Sequence, residues 1–292
     1  MMAIEIIHEV KAHNFHFQME HLGIGLLRLN RPEIHNAFNQ EMIDELFDLF
    51  NKLRTDERLR LLIITGEGKS FCAGADINWM KKMVNYTPEE NKADSHKLAT
   101  MFGQLNSFPR PVIGLINGAA IGGGTGLVAI CDYVLALDSA VFGLSEVRLG
   151  ILPAVIGPYV VAKIGESNAR AVFLSGERFD ALRALNMGLV HQVVSAAEAK
   201  EALAKVVAQF LKAAPQAQGV GKQLISTVRD CSDMSKVCQY TIDLITKLRV
   251  SSEGQHGMAC LLARSVPDWA VDENKTIAST IELLEQTQKG DL

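Results

Sequence analysis

The chain has 292 residues, 48% hydrophobic and 21% charged, with 29 basic against 33 acidic side chains and a formal net charge of −4. Such a composition excludes a largely disordered chain, and without a basic run there is no electrostatic footprint for a nucleic-acid backbone. The length suits one large α/β domain or a core domain with an appendage, and leaves little room for two unrelated full-sized domains.

Met1 to Val10 carries Glu5, His8 and Glu9 and lacks the apolar core of a secretory signal. Ile24–Leu29 (IGLLRL) and 59–65 (LRLLIIT) read as buried strands, and between them Met42, Ile43, Leu46, Phe50 and Leu53 recur at helical spacing behind an Asn39 N-cap. A strand, helix, strand order implies parallel pairing. Thr87-Pro88-Glu89-Glu90 places a capping threonine, a proline at the first helical position and a glutamate at the third, so a helix opens there and is expected to reach about Asn106.

Val112 to Ile130 is nineteen residues without a charge, a length that can span a bilayer. Six of them are glycines, each costing about 1 kcal/mol in a helix relative to alanine. A strand over 111–116, a loop at Gly122-Gly123-Gly124, a short helix ending near Cys131 and a strand over 133–137 are therefore expected, with no membrane span. From Ser195 onward the pattern is helical, over 196–213, 216–229, 233–250 and 252–264. The chain thus divides into an α/β core (1–195), a helical subdomain (196–268) and a polar tail (269–292) with one amphipathic segment, Ile277 to Leu284, and no assigned role. Five scattered cysteines without a CxxC pair point to a reduced, cytoplasmic protein with no metal knuckle.

Three segments could carry chemistry. Gly124, Gly126 and Ala129 fit a dinucleotide fingerprint, but only about seven residues separate Gly124 from the next strand, too few for a crossover helix. The other reading of this cluster is an oxyanion cradle, built from backbone N–H groups at a helix start. Ser70-Phe71-Cys72-Ala73-Gly74-Ala75-Asp76 is a matching second loop, since it also leaves a strand and enters a short helix; each loop by itself could be a plain turn. The third segment, Phe142 to Pro158 (FGLSEVRLGILPAVIGP), holds the lone glutamate Glu146 in apolar surroundings that favour its protonated form. If this stretch is extended, Glu146 and Arg148 share a face, either as an ion pair or as separate functional groups.

Four stretches, LNRPEIHNAF, SFCAGADINWM, INGAAIGGGTGLVAICDYVLA and FGLSEVRLGILP, together resemble the crotonase superfamily, the enoyl-CoA hydratase/isomerase family, over about Ile24 to Trp269. The resemblance implies a crotonase-like ββα spiral followed by C-terminal helices that build homotrimers, commonly paired into hexamers. It implies an acyl-CoA thioester as substrate, with no cofactor beyond the CoA that the substrate carries. By similarity, the backbone N–H groups of Ala75 and Gly123 form the oxyanion hole and Glu146 carries protons. Backbone around Ile34, Ala73 and Ala75 holds the CoA, Asp76 and Ile77 border the same site, and Arg264 meets CoA phosphate from a neighbouring subunit.

Two departures stand out. Glu33 occupies a position where the family's hydratases often have lysine. Gly126 occupies the position of the first of two glutamates, so Glu146 would act without a partner, either in adding water or in moving a double bond as a single-base isomerase. A catalytically silent acyl-CoA-binding protein is the reading from another class. LSEVRLGILPAVIGPYVVAKIG and KLRVSSEGQHGM look closest to bacterial methylglutaconyl-CoA hydratases, which favours hydration of a branched, carboxylated enoyl-CoA with Arg148 receiving the distal carboxylate. His13 and His16 read as surface residues, Cys72 as packing, and Trp79, Met80 and Met83 either as acyl-pocket wall or as plain core.

Overall fold

The computed structural model describes residues 4–286. β1 (Ile6–Lys11), β2 (Phe15–Glu20) and β3 (Ile24–Leu29) run antiparallel, and α1 (Gln40–Leu53) then leads into the parallel part of the fold. There a pattern repeats three times, in which a long strand enters a large sheet, a short strand enters a small one, and helix follows. The repeats are β4 (Leu61–Gly66), β5 (Ser70–Cys72), α2 (Ile77–Met83) and α3 (Pro88–Asn106); then β6 (Val112–Ile116), β7 (Ala119–Ile121) and α4 (Gly123–Ile130); then β8 (Tyr133–Leu137), β9 (Val141–Gly143) and, after a single-turn segment, α5 (Gly157–Ser175). β10 (Arg178–Asp180), α6 (Ala181–Asn186) and β11 (Gln192–Val194) complete the sheets, ordered β1-β2-β3-β4-β6-β8-β11 and β10-β9-β7-β5. This is the crotonase-like ββα spiral.

Both faces of the large sheet are covered, which explains why its parallel strands are almost continuously apolar. On one face Leu27, Leu62, Ile64, Val112, Ile116 and Val134 pack with α1 and the small sheet. The alternate residues Leu26, Leu61, Ile63, Ile113, Leu115 and Leu135 form a second core with α7 (Ala199–Leu211) and α11 (Glu273–Gln286). The uncharged run at 112–130 is resolved into β6, β7 and α4, and no helix among the described residues is long and apolar enough to cross a membrane.

The expected division at residue 195 does not coincide with a break in packing. α7 lies on the sheet rather than with the helices after it, and the segment expected as a polar tail of no assigned role forms α11, packed against α7. Glu20, fully buried, accepts hydrogen bonds from the backbone of Leu22 (3.0 Å) and Ile24 (2.9 Å) and from Ser279 Oγ of α11 (2.8 Å). By contrast α8 (Pro215–Asp230), α9 (Met234–Arg249) and α10 (Ser252–Ala263) leave Ile225, Met234, Ile242, Leu261 and Leu262 exposed.

Candidate active site

The three short strands β5, β7 and β9 are adjacent and parallel, with Cys72 opposite Ala120 and Ile121 opposite Gly143, so their carboxyl ends lie side by side. Three residues after Cys72 comes Ala75, three after Ala120 comes Gly123, and three after Gly143 comes Glu146. The topology therefore gathers three loops distant in sequence at one edge of the small sheet, where α/β sheets place ligands.

The first loop is held in shape by polar contacts. Phe38 N–H donates to Gly74 O (2.6 Å) and Asp76 N–H donates to Phe38 O (2.7 Å). This bridge ties Phe38 to the residues on either side of Ala75, so the Ala75 N–H itself faces away from it, and it has no acceptor among the described residues. Behind the loop, Asn36 is fully buried with φ 55°; its Oδ1 accepts from Arg31 N–H (2.7 Å) and its Nδ2 donates to Glu67 O (2.9 Å) and Ser70 O (2.8 Å). Arg31 also pairs with Asp76 at 2.9 Å.

The second loop presses on the first. A Cβ built on Gly74 would lie 3.0 Å from Ile121 O and 3.9 Å from Gly122 Cα. Gly122, at φ 53°, turns the chain into α4, and its N–H donates to Gly143 O (2.8 Å). Buried Thr125 secures the same corner by donating to Ala120 O (2.7 Å) and Gly143 O (3.0 Å). Gly123, the first residue of α4, keeps a backbone N–H without an acceptor among the described residues, as the first turn of a helix must unless something caps it. Two unfilled donors, Ala75 and Gly123, thus follow two glycines in mutual contact.

Glu146 closes the third side. Its Oε1 would lie 2.7 Å from a Cβ on Gly122, and its Oε2 is buried without a hydrogen-bond partner. Burial pushes its carboxyl above the usual carboxylate range, and a backbone hydrogen bond only partly offsets this. A half-buried carboxyl with one unpaired oxygen, against the loop that carries the free Gly123 N–H, can exchange a proton with a ligand bound there.

The other expected site residues differ in their surroundings. Residues 145–149 form a 3-10 turn, not a strand, so residues two apart do not share a face. The same-face argument for Arg148 and Glu146 therefore does not hold; Arg148 is exposed and donates from Nε to Ser175 O (3.3 Å). Asp76 caps α2 through Asn78 N–H (2.7 Å) and pairs with Arg31, so its carboxylate supports the loop. Ala73 donates its N–H to His35 O (2.9 Å), Ile34 ends the turn at 32–34, and Ile77 is 70% exposed at the rim. Arg264, at the end of α10, has no polar contact with the 73–77 loop of its own chain. Cys72 is buried with its thiol pushed up to about 12, so it is inert. Two clefts contain neither Gly123 nor Glu146: one of about 660 Å³ beside Lys163 and Lys222, and one of about 670 Å³ beside Asp44, Asp76 and Trp79. Asn36, Phe38, Thr125 and Ile156 are site-building residues that the sequence did not single out; an asparagine inside LNRPEIHNAF, suited to left-handed backbone, was the available signal for the first.

Residues 20–272 match the family model described as enoyl-CoA hydratase/isomerase. A crystal structure of an enoyl-CoA hydratase from Shewanella pealeana is 35% identical, covers 88% of this chain and 96% of its own, and superposes with a TM-score of 0.85. The 2,3-dehydroadipyl-CoA hydratase of Escherichia coli is 30% identical over 84% of this chain and 94% of its own length, and the enoyl-CoA hydratase ACTT6 of Alternaria alternata is 31% identical over 82% and 79%. With its spiral of paired strands and a family match that spans residues 20–272, the chain belongs to the enoyl-CoA hydratase/isomerase family of enzymes.

Proposed function

We propose that the protein hydrates the Cα=Cβ double bond of an enoyl-CoA thioester, with Glu146 as its one proton carrier. The thioester oxygen sits between the N–H groups of Ala75 and Gly123, which stabilise the charge that develops there; losing one such donor typically costs about 3–4 kcal/mol of transition-state stabilisation. Glu146 takes a proton from water as the water oxygen bonds to Cβ, the π pair moves through Cα onto the held oxygen, and the collapsing enolate takes the proton back from Glu146 at Cα. One water is consumed and the carboxylate is regenerated, so the reaction needs no cofactor beyond the CoA of its substrate. Because one carboxyl serves both ends of the double bond, oxygen and hydrogen add to the same face.

The observation that carries this reading is the buried, unpartnered Glu146 Oε2 beside the two free donors. Backbone at Ile34, Ala73 and Ala75 holds the CoA, and Arg264 reaches its phosphate from a neighbouring subunit. The exposed apolar side chains of α8–α10 support assembly as a homotrimer or hexamer, and the five free cysteines suit the cytoplasm. For the acyl group, the motif resemblance supports 3-methylglutaconyl-CoA or a related branched substrate. A relative named for dehydroadipyl-CoA supports tolerance of a distal carboxylate.

Loss of the conjugated enoyl absorbance, followed with 3-methylglutaconyl-CoA and with crotonyl-CoA, tests the proposal. Glu146→Gln must bind acyl-CoA and lose turnover; equal turnover in the variant overturns it, and no turnover in either protein leaves a silent acyl-CoA binder. The glycine at position 126 favours a second reading, single-base isomerisation, which a 3-enoyl-CoA would reveal by a gain in that absorbance.

A further inference from the structure

Gly122, which precedes α4, and Gly126, inside it, are four residues apart and joined by a hydrogen bond from Gly126 N–H to Gly122 O (3.1 Å). The segment from Glu146 to Ile156 meets both: Glu146 bears on Gly122, and Ile156, ten residues later, bears on Gly126. A Cβ on Gly126 would lie 2.4 Å from Ile156 Cγ2, 2.8 Å from Ile156 Cβ and 3.0 Å from Phe102 Cε1. Nothing in the backbone asks for glycine there. Gly126 has no positive φ and sits inside a helix, where glycine is a poor choice. Its identity is explained by the neighbour alone.

That neighbour cannot easily move. Ile156 is 3% exposed and caps α5, its carbonyl accepting from the N–H groups of Tyr159 and Val160 at 3.1 Å each. Its Cβ is fixed by this backbone, and rotation about χ1 would not relieve a contact made by Cβ itself. Phe102 is held between Tyr159, stacked at 6.3 Å, and Phe38, edge-on at 6.1 Å.

We propose that Ile156 is a specificity-determining residue: it fills the room over Gly126 that a second proton-carrying side chain would need, and so confines the site to chemistry by one carboxyl group. The proposal rests on the reading of Glu146 as the sole proton carrier. A second carboxyl is absent because its place is occupied, and it can be admitted by emptying that place. Glycine is the replacement to use at position 156, because it removes the two nearest crowding atoms and is tolerated at a helix N-cap.

The test compares Gly126→Glu in the native background with the same change in Ile156→Gly, by thermal melting and by the pH–rate profile of crotonyl-CoA hydration. Gly126→Glu should lower Tm sharply and keep a profile with one ionisation. The double variant should recover Tm relative to Gly126→Glu, raise kcat at least ~10-fold over Ile156→Gly, as expected for one added acid/base group, and show a second ionisation. The proposal is overturned if Gly126→Glu folds like the native protein and gains the second ionisation unaided, or if the double variant folds and keeps one. Should either glutamate variant fail to fold, Gly126→Ala decides: it must lower Tm in the native protein and raise it in Ile156→Gly, and losses that simply add sink the idea. Failure of the Glu146 assignment is read separately, from Glu146→Gln, and leaves the melting comparison intact.

Discussion

Glu146 and Gly122 are in such close contact that a Cβ on Gly122 would lie 2.7 Å from the carboxyl Oε1 and 3.5 Å from Cδ. Gly122 also has φ 53° and ψ −118°, a conformation that glycine adopts freely and a side chain strains. Gly122→Ala would push the carboxyl aside and tilt the start of α4, displacing the Gly123 N–H. A displacement of about 1 Å at reacting groups costs about 10²-fold in rate. We expect kcat/KM to fall by about that factor while the melting temperature falls only modestly, which steady-state kinetics and a thermal melt on one preparation would show.

The acidity of Glu146 links the site to stability. Burial raises its carboxyl above the value in the unfolded chain, so the folded protein holds the proton more firmly. This contribution to stability is complete below the unfolded pKa and is lost as pH rises through the folded one. Once pH exceeds the folded pKa, the ionised carboxylate, its Oε2 unpaired, is a cost. Glu146→Gln should therefore melt above the native protein at pH 7, and the difference should close as pH falls toward 4. The same shift moves the acid limb of the hydration profile above the ordinary carboxylate range.

Asp76 has the opposite sign. Burial pushes it up, but the Asn78 N–H and the Arg31 guanidinium together hold it below the usual range. Its contribution is present above the unfolded pKa and disappears as pH falls through the folded value. Asp76→Ala removes the cap of α2 and leaves Arg31, itself mostly buried, without its carboxylate. A loss of about 3 kcal/mol is expected at pH 7, shrinking in strong acid, together with a raised KM as the Ala75 loop loosens. Urea unfolding at pH 7 and pH 3 would measure it; an equal loss at both would contradict the pairing.

Local signals were the readable ones. The helix at 88–106 was legible from its capping box, and the helix at 40–53 from Asn39 and its apolar spacing. The 112–130 run was separable into strand and glycine loop because glycine and Asn117 argue against a helix. β2 was missed although Phe15, Phe17 and Met19 alternate inward, because His16, Gln18 and Glu20 mask the apolar stripe. The same-face argument for Glu146 and Arg148 failed because it assumed extended backbone where residues 145–149 form a 3-10 turn. The fit of Ile156 over Gly126 depends on where two helices meet, which no local pattern records.

The segment after Val271 gives the last prediction. Leu283 is fully buried and Leu284 nearly so, in the core that Ile63 and Leu115 share with α7. Arg28 Nη2 donates to Leu284 O (2.9 Å), and the backbone N–H of Ile4 donates to Glu282 (3.0 Å). α11 is thus an outer layer of the core sheet, joined to it by apolar contacts and by polar ties from three places in the chain. Leu283→Ala should cost about 2–5 kcal/mol, because it opens a cavity that a sheet and two helices cannot collapse to fill. Since α11 covers the sheet face opposite to α1 and the small sheet, kcat and KM for the enoyl-CoA substrate should stay at native values below the melting range. Denaturant unfolding beside steady-state kinetics would check both. A stability change within about 0.5 kcal/mol, the range of ordinary surface substitutions, would show that α11 does not belong to the core.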